Sequence, residues 1–283
     1  MSSTTTRKSF YETVTDAVAD LEEHGYDRAT RVAEWVRKIR AAAQRDLASE
    51  RDLTSALTRI LRSTYDKMVG NAQIERHHKV AQKFTLAKVK PKLRAELDRR
   101  IVASANLIKL NREQAIEKTL QRFQGWATSI PAGGTKVAAT RTVKNNVATS
   151  IKQLPFEERR VIIDQGHKFA ANLNDILATE NKSIAFIWHS QYRQKNYNYR
   201  EEHKERDGKV YAIRGSWADQ KGFVNKGDGY TDEMTKPGEE VFCRCYVTYL
   251  YDLADLPSDM LTQKGKNQVE RAKEIRRQLR ESA

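Results

Sequence analysis

The chain reads as an α+β protein in three stretches. An elongated, mostly α-helical N-terminal two-thirds covers residues 1–180, a small β-sheet domain covers 181–255, and a terminal helix or tail covers 256–283. Three observations carry this reading. Apolar residues recur at helical spacing through the first 180 positions. Three runs rich in β-branched and aromatic residues, "SIAFIWHSQY", "KVYAI" and "FCRCYVTYLY", then follow within seventy positions of one another. From Lys264 the sequence "KGKNQVERAKEIRRQLRESA" returns to charged, helix-forming composition. With 39% hydrophobic and 31% charged residues, the helices are expected to carry wide solvated faces.

Each element has its own signal. Ser9 and Glu12 stand at capping-box spacing, Phe10, Val14, Val18 and Leu21 follow at helical intervals, and Gly25 is placed to end the first helix. A second helix runs from about Asp27 to the mid-forties with Val32, Trp35, Val36, Ile39, Ala43 and Leu47 on one stripe. A third carries Leu53, Leu57, Ile60, Leu61, Tyr65 and Met68 and stops near Gly70. Each stripe reads as packing surface. Pro91 then suits a first helical position, and the run from there to about Phe123 has no further proline or glycine. At roughly 1.5 Å per residue it predicts a rod about 50 Å long, with Leu93, Leu97, Ile101, Ala105 and Ile108 as a narrow seam. "SIPAGGT" marks a loop near 129–135, helices are expected at 136–152 and, behind Pro155, at 156–180. Within the sheet domain, "GFVNKGDGYTDEMTKPGEE" is loop chemistry, and Asp207–Gly208 is a tight-turn signal ahead of "KVYAI".

Charge is distributed unevenly. The formal net charge is +14, and residues 61–160 hold 21 Lys and Arg against 8 Asp and Glu, so that third accounts for 13 of the 14 excess charges. A polyanion is the natural partner of such a surface, because binding releases its condensed counterions. Nucleic acid is favoured over a membrane surface, since the region has charge but little apolar amphipathic strength. Lys83, Lys88, Lys90, Lys92, Arg94, Arg99 and Arg100 are the candidate phosphate contacts. His77 and His78 are adjacent, point about 100° apart on a helix, and read as surface residues. No stretch approaches the roughly 20 apolar residues of a membrane span, and the polar opening "MSSTTTRKSF" reads as a cytoplasmic start.

Cys243 and Cys245, the two cysteines of the chain, flank Arg244. In a strand they would share one face with Arg244 on the other. The spacing leaves three readings open: a small strained disulfide ring, two buried thiols beside a hydrogen-bonded histidine, or half of a metal site completed by His203 or His189. Arg244 could pair with Asp207, Glu239 or Glu240, or face solvent.

The order Trp188, Arg200, His203, Asp207–Gly208, then "PGEEVFCRC" from Pro237 to Cys245, with Arg244 at its centre, resembles the C-terminal part of the phage head-morphogenesis family, the Mu-type minor head proteins of tailed phages. The likeness covers residues 180–250. It implies that His203 stands where many relatives have the second cysteine of a Cys-x₂-Cys pair, Arg200 where they have the first, and Glu240 where a histidine is frequent. This chain keeps His203, Cys243 and Cys245 as ligands for a possible zinc, and no other cofactor is expected.

The resemblance implies a minor structural protein of a phage head, a virion component made in the host cytoplasm and placed at the portal vertex or in the capsid interior. Portal or major capsid protein and double-stranded DNA, bound without sequence preference, would be its partners, and it would act in several copies in assembly and in genome retention or ejection. No catalytic residue is assigned. All six histidines lie at or before position 203, and no Gly-x-Ser-x-Gly, phosphate-binding glycine loop or His-Glu-x-x-His motif occurs. The alternatives are a sequence-nonspecific nucleic-acid-binding regulator and a metal-dependent nuclease.

Overall fold

The computed structural model describes residues 8–69, 83–135 and 141–281, without the side chains of 83–86. In chain order it contains α1 (Phe10–His24), α2 (Ala29–Asp46), α3 (Glu50–Val69), α4 (Lys83–Ala127), α5 (Arg141–Glu180), β1 (Ala185–His189), α6 (Glu201–Glu205), β2 (Val210–Ala212), α7 (Trp217–Gln220), β3 (Tyr246–Leu250), a 3₁₀ turn at Leu253–Asp255 and α8 (Gln263–Glu281). It is a mostly helical α+β chain with a small antiparallel sheet and a C-terminal helix. His77, His78 and the expected start of a helix at 136 lie outside the described residues.

The chain forms two compact units. One takes Met1–Thr58 with Val102–Ile162, the other Arg59–Ile101 with Ile163–Ala283. This grouping is not the linear one expected at 180 and 255, because α3, α4 and α5 each contribute to both units.

In the first unit, α1 begins at the capping box expected for it: the Glu12 amide donates to Ser9 Oγ at 3.3 Å, and the Ser9 amide donates to Glu12 Oε2 at 2.7 Å. Its stripe of Phe10, Val14, Val18 and Leu21 packs with Val32 and Ile39 of α2, Ile116, Leu120 and Phe123 of α4, and Val147, Ile151 and Leu154 of α5. Gly25 ends α1 at φ +69°, and a Cβ there would stand 1.9 Å from the Pro131 carbonyl oxygen. The Gly133 and Thr135 amides tie this loop back to His24 and Glu22.

The second unit holds the sheet, in the order β2-β1-β3, with Phe186 of the central strand opposite Tyr211 on one side and Tyr249 on the other. Period-2 alternation gives the sheet two buried faces. One collects Ala185, Val210, Ala212 and Leu250 with Leu253, Leu256, Met260 and Leu261. The other collects Phe186, Trp188, Tyr211 and Tyr249 with Ala178 of α5 and both cysteines.

Three expectations are corrected. Pro91 does not open a helix but lies inside α4, and Pro155 lies inside α5, which is one helix where two were expected. An interior proline costs about 3 kcal/mol. Continuous apolar faces offset it: Val89, Leu93 and Leu97 are buried on either side of Pro91, and Ile151, Leu154 and Ile162 around Pro155. Both prolines point to solvent. The third correction concerns the thiols. β3 begins at Tyr246, so Cys243, Arg244 and Cys245 sit in the loop ahead of the strand.

Candidate metal centre

The centre is assembled from segments far apart in sequence. β1 places Trp188, fully buried, in the middle of the sheet. α6 presents His203, whose imidazole meets the Trp188 ring edge-on at 5.3 Å between centroids. The Asp207–Gly208 turn fixes α6 against β1: Gly208 takes φ +78°, its amide donates to the Trp188 carbonyl at 2.8 Å, and Asp207 Oδ1 accepts from the Ser190 amide at 2.8 Å. The third segment is the loop 237–245. Phe242 there holds a left-handed φ of +59°, which costs a non-glycine residue about 1–2 kcal/mol. Its amide donates to Oδ1 of buried Asp164 on α5 at 2.6 Å, and Lys168 neutralises that carboxylate at 3.2 Å. Strained backbone of this kind is kept where the surroundings over-determine it.

These segments bring His203, Cys243 and Cys245 together, 1%, 1% and 7% exposed. His203 Nδ1 lies 3.7 Å from Cys243 Sγ and 3.6 Å from Cys245 Sγ, and the three ligand atoms all fall within 4.8 Å of one another. Zinc–sulfur bonds of about 2.3 Å and zinc–nitrogen bonds of about 2.0–2.1 Å at a tetrahedral angle place nitrogen and sulfur about 3.6 Å apart. Both Nδ1–Sγ distances match that edge.

The surroundings are those of a ligand set. His203 Nε2 faces Glu240 Oε1 at 3.3 Å, and Glu240 is itself held by Arg200 Nε at 2.6 Å and the Thr235 hydroxyl at 2.7 Å. With Nε2–H donating to the carboxylate, Nδ1 turns its lone pair to the thiols, the arrangement that orients a metal-binding histidine. The hydrogen bond from Thr235, then the charge of Arg200 and the hydrogen bond from His203, hold the Glu240 carboxyl below the usual carboxylate range against the opposing effect of burial. On the sulfur side, a hydrogen bond from Cys245 draws the Cys243 thiol down to about 5 against the opposing effect of burial, helped by the Gly238 and Cys245 amides. The same bond, with burial, pushes the Cys245 thiol up, opposed by the Gln191 amide. The pair thus surrenders its first proton easily and retains the second, and a bound cation would displace both. Two buried N–H donors nearby, Trp188 Nε1 and Arg206 Nη1, have no acceptor among the described residues; donors of this kind call for a water or an anion and say nothing for a cation.

Not every residue singled out from sequence joins this centre. Trp188, Arg200, Asp207 and Gly208 form its shell. Arg244 pairs with none of the three carboxylates expected: its Nη1 donates to Gln194 Oε1 at 2.9 Å, and its guanidinium lies over the Tyr197 ring at 5.0 Å. Glu240 is taken by Arg200 and His203 instead.

The basic residues of α4 divide. Lys88, Lys90, Lys92, Arg94 and Arg99 are exposed, while the side chain of Lys83 lies outside the described residues. Lys92 pairs with Glu180 and Arg94 with Asp98. Arg99 and the largely buried Arg100 both bind buried Glu96, at 2.7 and 3.3 Å, and Arg100 also donates to Gln165. Burial alone would raise the Glu96 carboxyl, but hydrogen bonds from Asn172 and Arg99, with the charges of Arg99 and Arg100, hold it below the usual range. Arg100 is therefore a packing residue and not a phosphate contact. Among the described residues of this set, Lys88 and Lys90 carry no ion pair.

Sequence reading missed Asp164, Thr235 and the role of Glu240, which reach the centre only through the fold. No family model, no curated protein and no solved structure matches the chain.

Proposed function

We propose that this chain is a minor structural protein of a phage head, in which a zinc-organised sheet module docks on portal or capsid protein and exposed basic helix faces meet packaged DNA. One observation carries the reading. Of the residues on which the resemblance to head-morphogenesis proteins rests, Trp188, Arg200, His203, Asp207, Gly208, Cys243 and Cys245 are spread over fifty-eight positions yet surround one buried centre, while Arg244 turns away to Gln194 and Tyr197. Such convergence supports treating them as one functional unit.

The donor set of one imidazole and two thiolates favours zinc among the common divalent ions. The ion would join α6 to the loop ahead of β3 and so hold the face of the sheet rigid, a structural role that needs no reactive substrate. Lys88 and Lys90 would neutralise phosphates without reading bases. No catalytic residue is assigned.

The test is to purify particles of the phage that encodes the chain and locate it by cryo-electron microscopy and mass spectrometry. The proposal expects it within the head or at the portal vertex, with particles from a deletion mutant defective in assembly or genome delivery. Its absence from particles, with assembly unaffected by deletion, would overturn the proposal.

A further inference from the structure

We propose that Arg244 anchors a docking pocket on the sheet module, and that the pocket receives an acidic side chain, aspartate or glutamate, from an extended segment of a partner protein. The inference rests on the docking half of the reading above and does not depend on the metal.

Arg244 is the motif residue that the buried centre leaves over. It stands between the two thiols, yet its guanidinium turns to Gln194 and to the Tyr197 ring. There it lines a cavity of about 370 Å³ inside the second unit, between the 167–175 stretch of α5, the loop 236–239 and the start of β3. Arg244 is partly buried and makes no ion pair among the described residues. A charge withdrawn from water without a counter-charge is costly, so this guanidinium calls for an anion.

The carboxylates of the cavity wall, Asp175 and Glu239, do not supply it. Asp175 Oδ1 accepts from Lys236 Nζ at 2.9 Å and from the Tyr249 hydroxyl at 3.0 Å. Glu239 accepts from the Lys236 amide at 2.8 Å. Glu240 is taken by Arg200 and His203. Arg244 is also fixed before anything binds: its amide donates to the Tyr197 hydroxyl at 3.1 Å, and Nη1 donates to Gln194 Oε1 at 2.9 Å. The guanidinium makes no other hydrogen bond among the described residues, which leaves most of its N–H donors for a ligand. A guanidinium immobilised in advance loses little entropy on binding, and its planar fork matches a carboxylate.

The rest of the wall selects the carrier of that carboxylate. Ala171, Pro237, Val247 and Tyr249 give the cavity apolar surface. Glu239, exposed on the same wall, would repel the closely spaced charges of a phosphate backbone. β3 runs along the cavity as an edge strand of the sheet, so one side of its backbone is open to an extended segment. A single carboxylate on a partly apolar peptide fits these features, and a nucleic acid does not.

Three probes test the pocket on the full chain: the peptide acetyl-Val-Glu-Val-amide, its glutamine counterpart acetyl-Val-Gln-Val-amide, and dimethyl phosphate. Each is titrated into protein carrying isotope-labelled arginine, and the Nε–Hε resonance of Arg244, assigned by its loss in Arg244→Lys, is followed by NMR. The glutamate peptide is expected to shift this resonance saturably at millimolar concentration, with the glutamine peptide binding about tenfold or more weakly. Arg244→Lys keeps the charge but loses the fork, and should weaken the glutamate peptide, as read on the peptide's own signals. Equal responses to the two peptides, no response to either, or a saturable response to dimethyl phosphate alone would each overturn the inference. The comparison of peptides is made on the native chain, so it does not hang on how a variant folds. Its failure would leave the location of the chain in particles and its zinc content untouched.

Discussion

At the scale of single residues, the weight of the centre falls on His203 and the two thiols, and Glu240 aims them. Replacing Glu240 by alanine frees the imidazole to rotate and removes the charge behind Nε2. Zinc affinity is expected to fall about ten- to hundredfold, while Glu240→Gln, which still accepts the Nε2–H bond, loses less. Competition with a chromophoric chelator measures both, and equal affinities for all three proteins would dissociate Glu240 from the site. Glu96 gives the pH prediction. A carboxyl held low in the fold contributes stability that is present above its unfolded titration and is lost as pH falls through its folded value. The gap in unfolding free energy between the native chain and Glu96→Gln should therefore shrink as pH drops from about 7 to about 3, followed by denaturant melts. A gap independent of pH would mean that Arg99, Arg100 and Asn172 do not hold the carboxylate.

At the scale of elements, local chemistry was readable and distant chemistry was not. The α1 capping box is a contact between neighbours three residues apart, so its sequence spacing is its structure. The three strand runs likewise carry their own alternation. The prolines misled because a rule for local helix starts competes with burial supplied by other helices, and burial won at Pro91 and Pro155. The cysteine segment misled for a related reason: the left-handed turn at Phe242 depends on Asp164, 78 positions away, and nothing in "VFCRC" announces it. Of the centre itself, His203, Cys243 and Cys245 were legible as ligand types at a suggestive spacing, whereas Glu240 read as a missing ligand and is in fact the support behind one. The proline reading yields a prediction. Pro155 is exposed, so Pro155→Ala restores a helical hydrogen bond without loss of core and should raise stability by about 1–3 kcal/mol in urea unfolding. A lower midpoint would show that α5 needs the bend a proline imposes.

At the scale of the whole molecule, a sheet module with a candidate metal centre is combined with helices that carry a basic excess. The internal pairing around Glu96 and Glu180 narrows the phosphate-binding candidates to Lys88 and Lys90, which carry no ion pair among the described residues. DNA affinity should be indifferent to sequence and fall with salt on a log–log slope of about −0.9 per phosphate neutralised. Lys88→Gln with Lys90→Gln should flatten that slope by about two, and an unchanged slope would move the DNA contact elsewhere. The claim on which the rest depends is that the buried imidazole and thiols hold an ion. Elemental analysis of the chain purified under reducing conditions without chelator tests it most directly: the account predicts about one zinc per chain, lost in the Cys243→Ser, Cys245→Ser double variant, and a native chain free of zinc and of other transition metals would contradict it.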